Sequence, residues 1–242
     1  MASTALLMLI VFAGAAVQRV AGVGFALMVA PCLVLLVGPV EGILLANLLG
    51  LVVCCIVLTV VWRDVDRRKA LLLLPAGLVG VLPGVYTAGH LPSGQLQVTI
   101  GTIILVGLAG TLASRRLRLT PDPPTTLGSG LASGFMTATA GLGGPALTFY
   151  AVTTAWEQRR FAATAQISFA GQATLALGLK GFAHFPGPAQ SVALVVAIVA
   201  GLWLGQRIAG RVPANRARTV AIVIALAGAV TTTIRGALTW AA

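Results

Sequence analysis

The chain has 242 residues, of which 58% are hydrophobic and only 9% are charged. Soluble domains carry roughly 25% charged residues, so this composition excludes a water-soluble fold that covers its apolar side chains. The net charge of +11 comes from basic residues in short clusters between apolar stretches, which is typical of loops that face anionic lipid headgroups. We therefore predict a polytopic membrane protein whose partner is the lipid bilayer and not a nucleic acid.

The first half, residues 1–113, contains one broken apolar stretch followed by three uninterrupted ones. Residues 4–38 are too many for one ordinary crossing and are interrupted by glycines, so we predict a re-entrant hairpin of two short helices. Stretches of about crossing length follow at 40–61, 70–89 and 96–113. None alternates residue by residue as membrane β-strands do, so the predicted fold class is all-α.

The second half, residues 127–242, repeats the first after a linker at 114–126 that is rich in Arg, Pro and Thr. A second hairpin is predicted at 127–155, and crossings at 161–179, 189–209 and 219–239. The glycine break at 21–24 recurs 119 positions later, and Gly80 and Gly84 recur as Gly201 and Gly205. Duplicated halves with interrupted apolar segments are typical of secondary transporters, and the interruptions indicate the substrate site.

The basic loops predict the orientation of each half. The loop 62–69 and the linker are rich in Lys and Arg, whereas the loop 90–95 has none, so the first two are predicted to be cytoplasmic. The pattern inverts in the second half, where 180–188 is nearly neutral and 210–218 is basic. We predict two inverted repeats, a cytoplasmic linker and both termini outside. Such repeats are common in alternating-access carriers, although a duplicated channel would give the same pattern.

The glycine breaks predict an anion site. Glycine permits backbone turns that other residues resist, and each turn leaves free N–H groups at the start of the following half-helix. A helix N-terminus carries about half a positive charge and binds anions. The alternative is close helix packing through small residues, which is the better interpretation for the glycines of the uninterrupted spans, such as Gly84 and Gly205.

Polar side chains near the breaks complete the candidate site. Arg19 offers a planar fork of donors that fits an oxyanion; the alternative is that it extends to the membrane surface. Asn47 and Gln166 correspond at the offset of 119, and we expect both to face a shared cavity. The predicted substrate-binding residues are Gln18, Arg19, Gly22, Gly24, Phe25, Asn47, Thr137, Gly141, Gly143, Gly144 and Gln166.

Enzymatic chemistry finds little support in the sequence. The five acidic residues fall near span ends or in loops, and no nucleophile–base pair, metal-ligand spacing or phosphate loop occurs. The three cysteines lie in apolar segments without metal spacing. We therefore predict no enzyme activity, no cofactor and no metal.

The breaks resemble those of the TauE/SafE family of membrane transporters, the sulfite exporter superfamily. The resemblance lies in residues 18–26 followed by Pro31, and in Gly134 with residues 141–145; it covers essentially the whole chain. The second motif lacks an Arg or Gln equivalent to Gln18 and Arg19. An Arg that family members often carry near 162–164 is also absent, since the nearest are Arg159 and Arg160.

The resemblance implies a secondary transporter of the bacterial inner membrane that moves sulfite, sulfoacetate or another organosulfonate. The alternative function is an anion channel or a membrane-embedded subunit of a larger complex. A homodimer is possible, and the coupling ion stays unknown.

Overall fold

The computed structural model describes residues 2–22, 24–181 and 187–241, and within these ranges it contains ten α-helices and no strand. The predicted all-α class is confirmed. The helices are α1 (Ala2–Ala21), α2 (Phe25–Val37), α3 (Pro39–Val61), α4 (Arg67–His90), α5 (Ser93–Ala113), α6 (Pro123–Ala140), α7 (Gly144–Thr153), α8 (Gln158–Lys180), α9 (Pro188–Ile208) and α10 (Ala214–Ala241).

Six helices in the described ranges are long and apolar enough to cross a membrane, which makes the protein a polytopic membrane protein. They lie in α1, α3, α4, α5, α9 and α10. The crossing predicted at 161–179 is a helix, α8, but it is not among the six. Polar side chains, including those of Thr164, Gln166 and Gln172, make α8 less apolar than the six. These three side chains are fully buried against other helices and do not contact lipid.

The two predicted hairpins differ from their expected form. In the first, α1 has 20 residues and α2 has 13, so a helix about 30 Å long precedes a shorter one. In the second, α6 begins at Pro123, inside the predicted linker, because Asp122 caps its N-terminus by accepting a hydrogen bond from the Thr125 amide. Hydrogen bonds from Thr125 and Thr120 hold the pKa of Asp122 below its usual value.

The breaks between these helices fall where the glycines predict them. Gly24 precedes α2 with a φ of 140°, and Gly141 follows α6 with a φ of 72° in the left-handed region. Side chains with a Cβ rarely adopt these conformations. The chain therefore ends α1 and α6 at these points and begins a new helix within a few residues.

Helices from the two halves pack on each other in matched pairs. If α1–α5 are aligned with α6–α10, the contact of α1 with α9 is the counterpart of the contact of α6 with α4, and both are extensive. Glycines make both contacts close. Gly201 and Gly205 lie against the α1 backbone, and Gly80 and Gly84 lie against the α6 backbone, as the packing interpretation predicts.

The loop 62–69 and the linker both contact the segment around the end of α7 and the start of α8. Arg159, at the start of α8, forms an ion pair with Asp64, just after α3, with an N–O distance of 2.7 Å. The Leu119 amide of the linker donates to the Thr153 carbonyl at the end of α7, at 3.0 Å. These contacts agree with the predicted orientation, in which the loop 62–69 and the linker are on the same side.

Thiol labelling in intact cells tests the orientation. A cysteine at Ser93, which is exposed at the start of α5, is expected to react with an impermeant reagent from outside. Cysteines at Asp66 or at its exposed neighbour Arg63 are expected to react only after the cells are opened. Arg63 is the better site because Asp66 caps α4. His184, which is also predicted to lie outside the cell, is not among the described residues. Labelling at Arg63 from outside, together with protection at Ser93, would show that the orientation is the opposite of the predicted one.

Candidate functional site

A cavity of about 60 Å³ lies between the two halves, beside both glycine breaks. Among the described residues no charged side chain lines it; the polar side chains at its wall are Gln18, Asn47, Thr137 and Thr148. Of the eleven predicted substrate-binding residues, the structure brings eight together here and does not bring Arg19, Gly22 or Gln166 to the wall. The eight are Gln18, Gly24, Phe25, Asn47, Thr137, Gly141, Gly143 and Gly144.

The N-terminus of α2 forms one wall of the cavity. The first N–H groups of a helix have no acceptor within the helix. The Phe25 amide donates to Gln18 Oε1 at 3.0 Å, and Gln18 is only 5% exposed. The next two residues, Ala26 and Leu27, also line the cavity. Gln18 therefore fixes the first turn of α2 and leaves the following amides beside the cavity.

The N-terminus of α7 lies at the opposite break. Gly143 and Gly144 line the cavity and begin this helix. Gly143 has an ordinary φ of −95°, but a side chain there would overlap the hydroxyl groups of Thr137 and Ser133. The glycine is thus required for close approach of α6 and the start of α7. One helix N-terminus from each half contributes to the same cavity.

Two residues at corresponding positions connect the halves. Asn47 on α3 donates to the Thr137 carbonyl at 3.2 Å, at the end of α6. Gln166 on α8 donates to the Gly22 carbonyl at 3.4 Å, just after α1, and accepts from Gln18 at 3.4 Å. Asn47 on α3 therefore bonds to the helix end that precedes the break of the second half, and Gln166 on α8 bonds to the break of the first half. Gln166 was predicted to face the cavity, but it does not line it; it contacts the site through its hydrogen bonds to Gln18 and Gly22.

Arg19 lies on the outside of this arrangement. Its Cβ packs against Gly205 of α9, one turn before the helix ends at Ile208. Within the described residues Arg19 makes no hydrogen bond or ion pair. This placement favours the alternative in which its guanidinium extends to the membrane surface, near the exposed Arg207.

Replacement of Arg19 by alanine is therefore expected to change the affinity for a sulfur oxyanion less than threefold, since a solvated charge contributes little. The measurement is calorimetric titration of the purified protein. Arg19→Lys serves as a control that keeps the charge and is expected to bind like the wild type. A loss of about 2–5 kcal/mol, as for one partner of a desolvated charged contact, would place Arg19 at the anion.

Sequence reasoning did not select Thr148, Cys54 or Phe169, which also line the cavity. A signal for Thr148 existed, because it lies four residues after Gly144 and positions i and i+4 share a helix face. Gln172 was also not among the predicted substrate-binding residues. Its Oε1 accepts hydrogen bonds from Ser133 at 3.1 Å and from Thr137 at 2.9 Å, so it supports the second break from within α8.

Metal ligands are not clustered in the part of the chain that the structure describes, where no group of three His, Cys, Asp or Glu side chains is found. The cavity offers amide N–H groups, hydroxyls and carboxamides instead. These neutral groups can hydrogen-bond oxygen atoms of a small solute, and the partial positive charges of two helix N-termini favour an anionic one.

The comparison with protein families gives one match. The family model described as sulfite exporter TauE/SafE matches residues 6–232, nearly the whole chain. Searches of curated proteins and of solved structures give no match. The matched region includes both breaks and every residue that lines the cavity. The chain belongs to the sulfite exporter TauE/SafE family.

Proposed function

We propose that the protein is a secondary transporter, and not an enzyme, that moves a small sulfur-containing anion across the bacterial inner membrane by alternating access. The anion is sulfite, sulfoacetate or another organosulfonate. The observation that carries the proposal is the cavity between the halves, where the N-termini of α2 and α7 meet neutral hydrogen-bonding side chains. Helix N-termini of discontinuous helices bind anionic groups of substrates in other transporters.

The absence of charge from the described cavity wall supports transport over permanent binding. A carboxylate at the wall would repel an anion, and a buried guanidinium would hold it strongly. Backbone amides and carboxamides provide moderate attraction, and conduction requires binding that is favourable enough for entry but weak enough for release. The wall formed by Gln18, Asn47 and the two helix starts meets this requirement.

The size of the cavity favours sulfite among the candidate anions. A water molecule needs about 10–15 Å³ of this kind of volume, so about 60 Å³ accommodates roughly four to six water-sized groups. Sulfite consists of one sulfur and three oxygens. Sulfoacetate is about twice as large and would require the cavity to widen.

The inverted-repeat arrangement is part of the proposal. The matched helix pairs, α1 with α9 and α6 with α4, support it, and so do the corresponding hydrogen bonds of Asn47 and Gln166. In such folds one repeat rocks against the other around a fixed site. The site at the junction of the halves would then open alternately to each side of the membrane.

Transport by the purified chain in proteoliposomes tests the proposed function. A carrier is expected to take up labelled sulfite with saturation and to accelerate its uptake when unlabelled sulfite is present inside. Conduction without saturation or counterflow would favour the anion channel. Complete inactivity toward sulfite and organosulfonates, with correctly folded protein, would favour a subunit of a larger complex and contradict the proposal.

A further inference from the structure

Thr148 differs from Thr153 at the end of α7 and from Thr154 just after it. The hydroxyl groups of Thr153 and Thr154 donate to carbonyls four residues earlier in the helix, Phe149 at 2.9 Å and Tyr150 at 2.7 Å. Threonine commonly satisfies its hydroxyl in this way. Thr148 does not do so, and within residues 2–22, 24–181 and 187–241 its hydroxyl makes no hydrogen bond.

This unpartnered hydroxyl is not on the surface. The Thr148 side chain is only 4% exposed, and it lines the cavity beside Gly143 and Gly144. The hydroxyl keeps some access to the cavity, where a polar group of a native protein usually bonds to water or to a solute. A ligand in the cavity would supply the missing hydrogen bond.

Thr148 also lies at a boundary between two cavities. With Leu27 it belongs to the wall of the main cavity and to that of a second, smaller one between α5, α7 and α10, and Arg218 lines this second cavity. Thr148 therefore separates the main cavity from the smaller one that Arg218 lines. An anion held in the main cavity would receive the Thr148 hydrogen bond within the positive field of the α7 N-terminus.

We propose that Thr148 is a substrate-binding residue whose hydroxyl donates to an oxygen of the transported anion. The inference rests on the proposed function and makes the site asymmetric, since the corresponding residue of the first half is Val29. The hydroxyl adds a directional donor on one side of an anion that the two helix starts otherwise hold through backbone amides.

The test compares Thr148→Val with Thr148→Ser by sulfite titration and thermal unfolding. Hydrogen bonds to charged groups contribute about 1.5–3 kcal/mol, so Thr148→Val is expected to weaken sulfite binding about 10- to 100-fold. Thr148→Ser keeps the hydroxyl and is expected to bind within about threefold of the wild type. The unfolding temperature of Thr148→Val should stay equal or rise, because the lost hydroxyl has no partner in the free protein.

Thr232→Val is the matched control. Thr232 is also fully buried, but its hydroxyl donates to Gly228 at 2.7 Å, so this variant should lose stability and keep its affinity. Wild-type affinity in Thr148→Val would refute the role of Thr148 and leave the proposed function intact. A parallel loss of affinity and stability would also refute it, because that pattern indicates a structural role. Wild-type protein that binds neither sulfite nor an organosulfonate would contradict both proposals.

Discussion

Gly24→Val and Gly143→Val are expected to reduce sulfite binding at least tenfold each, while the protein still inserts into the membrane. Gly24 has a φ of 140°, which a β-branched residue adopts only with strain of about 1–3 kcal/mol. The first turn of α2 would shift, and with it the amides of Ala26 and Leu27 at the cavity wall. Insertion should persist because the hydrophobic length of the segments is unchanged.

Gly143→Val is expected to act by a different route. The backbone there is unstrained, but the added atoms would occupy the space of the Thr137 and Ser133 hydroxyl groups. The start of α7 would be pushed away from α6, and the cavity would lose its second helix N-terminus. The two variants thus test the two halves of the site independently, by isothermal titration with sulfite.

Glycines used only for packing provide the control. The Cβ of alanine at Gly84 would lie 2.7 Å from the Phe135 carbonyl oxygen, and at Gly205 it would lie 2.6 Å from that of Ala16. Gly84→Ala and Gly205→Ala should therefore lower the unfolding temperature more than the affinity. If these variants lost binding while Gly24→Val and Gly143→Val bound normally, the site would lie elsewhere in the chain.

The breaks could be predicted from the sequence because glycine has a direct physical consequence for the backbone. An apolar stretch that contains Gly22 and Gly24 cannot continue as one helix without cost, and the repeat at 141–144 marks the second half in the same way. The offset of 119 also paired Asn47 with Gln166, but of the two only Asn47 lines the cavity as predicted, whereas Gln166 bonds to Gln18 and to the Gly22 carbonyl.

Other features depended on packing that a single sequence does not record. Arg19 packs through its Cβ against Gly205, which lies 186 positions away in the chain. The polar residues of α8, such as Gln172, are buried against α6 rather than exposed to lipid, which the length of the predicted crossing at 161–179 does not reveal. Thr148 was missed because threonine in a helix usually bonds to its own backbone, and only the structure shows that this one does not.

Gln18→Glu is expected to weaken sulfite binding roughly a hundredfold. The carboxylate would still accept the hydrogen bond from the Phe25 amide, so the first turn of α2 should keep its position, but it could no longer donate to Gln166. It would also place a negative charge at the cavity wall. Two unit charges about 5 Å apart repel by about 3 kcal/mol at an effective dielectric constant of about 20, and a doubly charged anion would be repelled more strongly.

Gln206→Glu is the matched control, because it makes the same change at an exposed position on α9 and should leave the affinity unchanged. The affinity of Gln18→Glu should recover as the pH falls and the introduced carboxylate becomes protonated, when compared with the wild type at each pH. Recovery would show that the loss of affinity depends on ionisation of the introduced carboxyl group, because protonation removes the charge and restores a donor toward Gln166, and it would exclude irreversible damage to the fold. Equal affinities of Gln18→Glu and the wild type at neutral pH would mean that the anion does not approach Gln18, and the cavity at the two breaks would lose its assignment as the transport site.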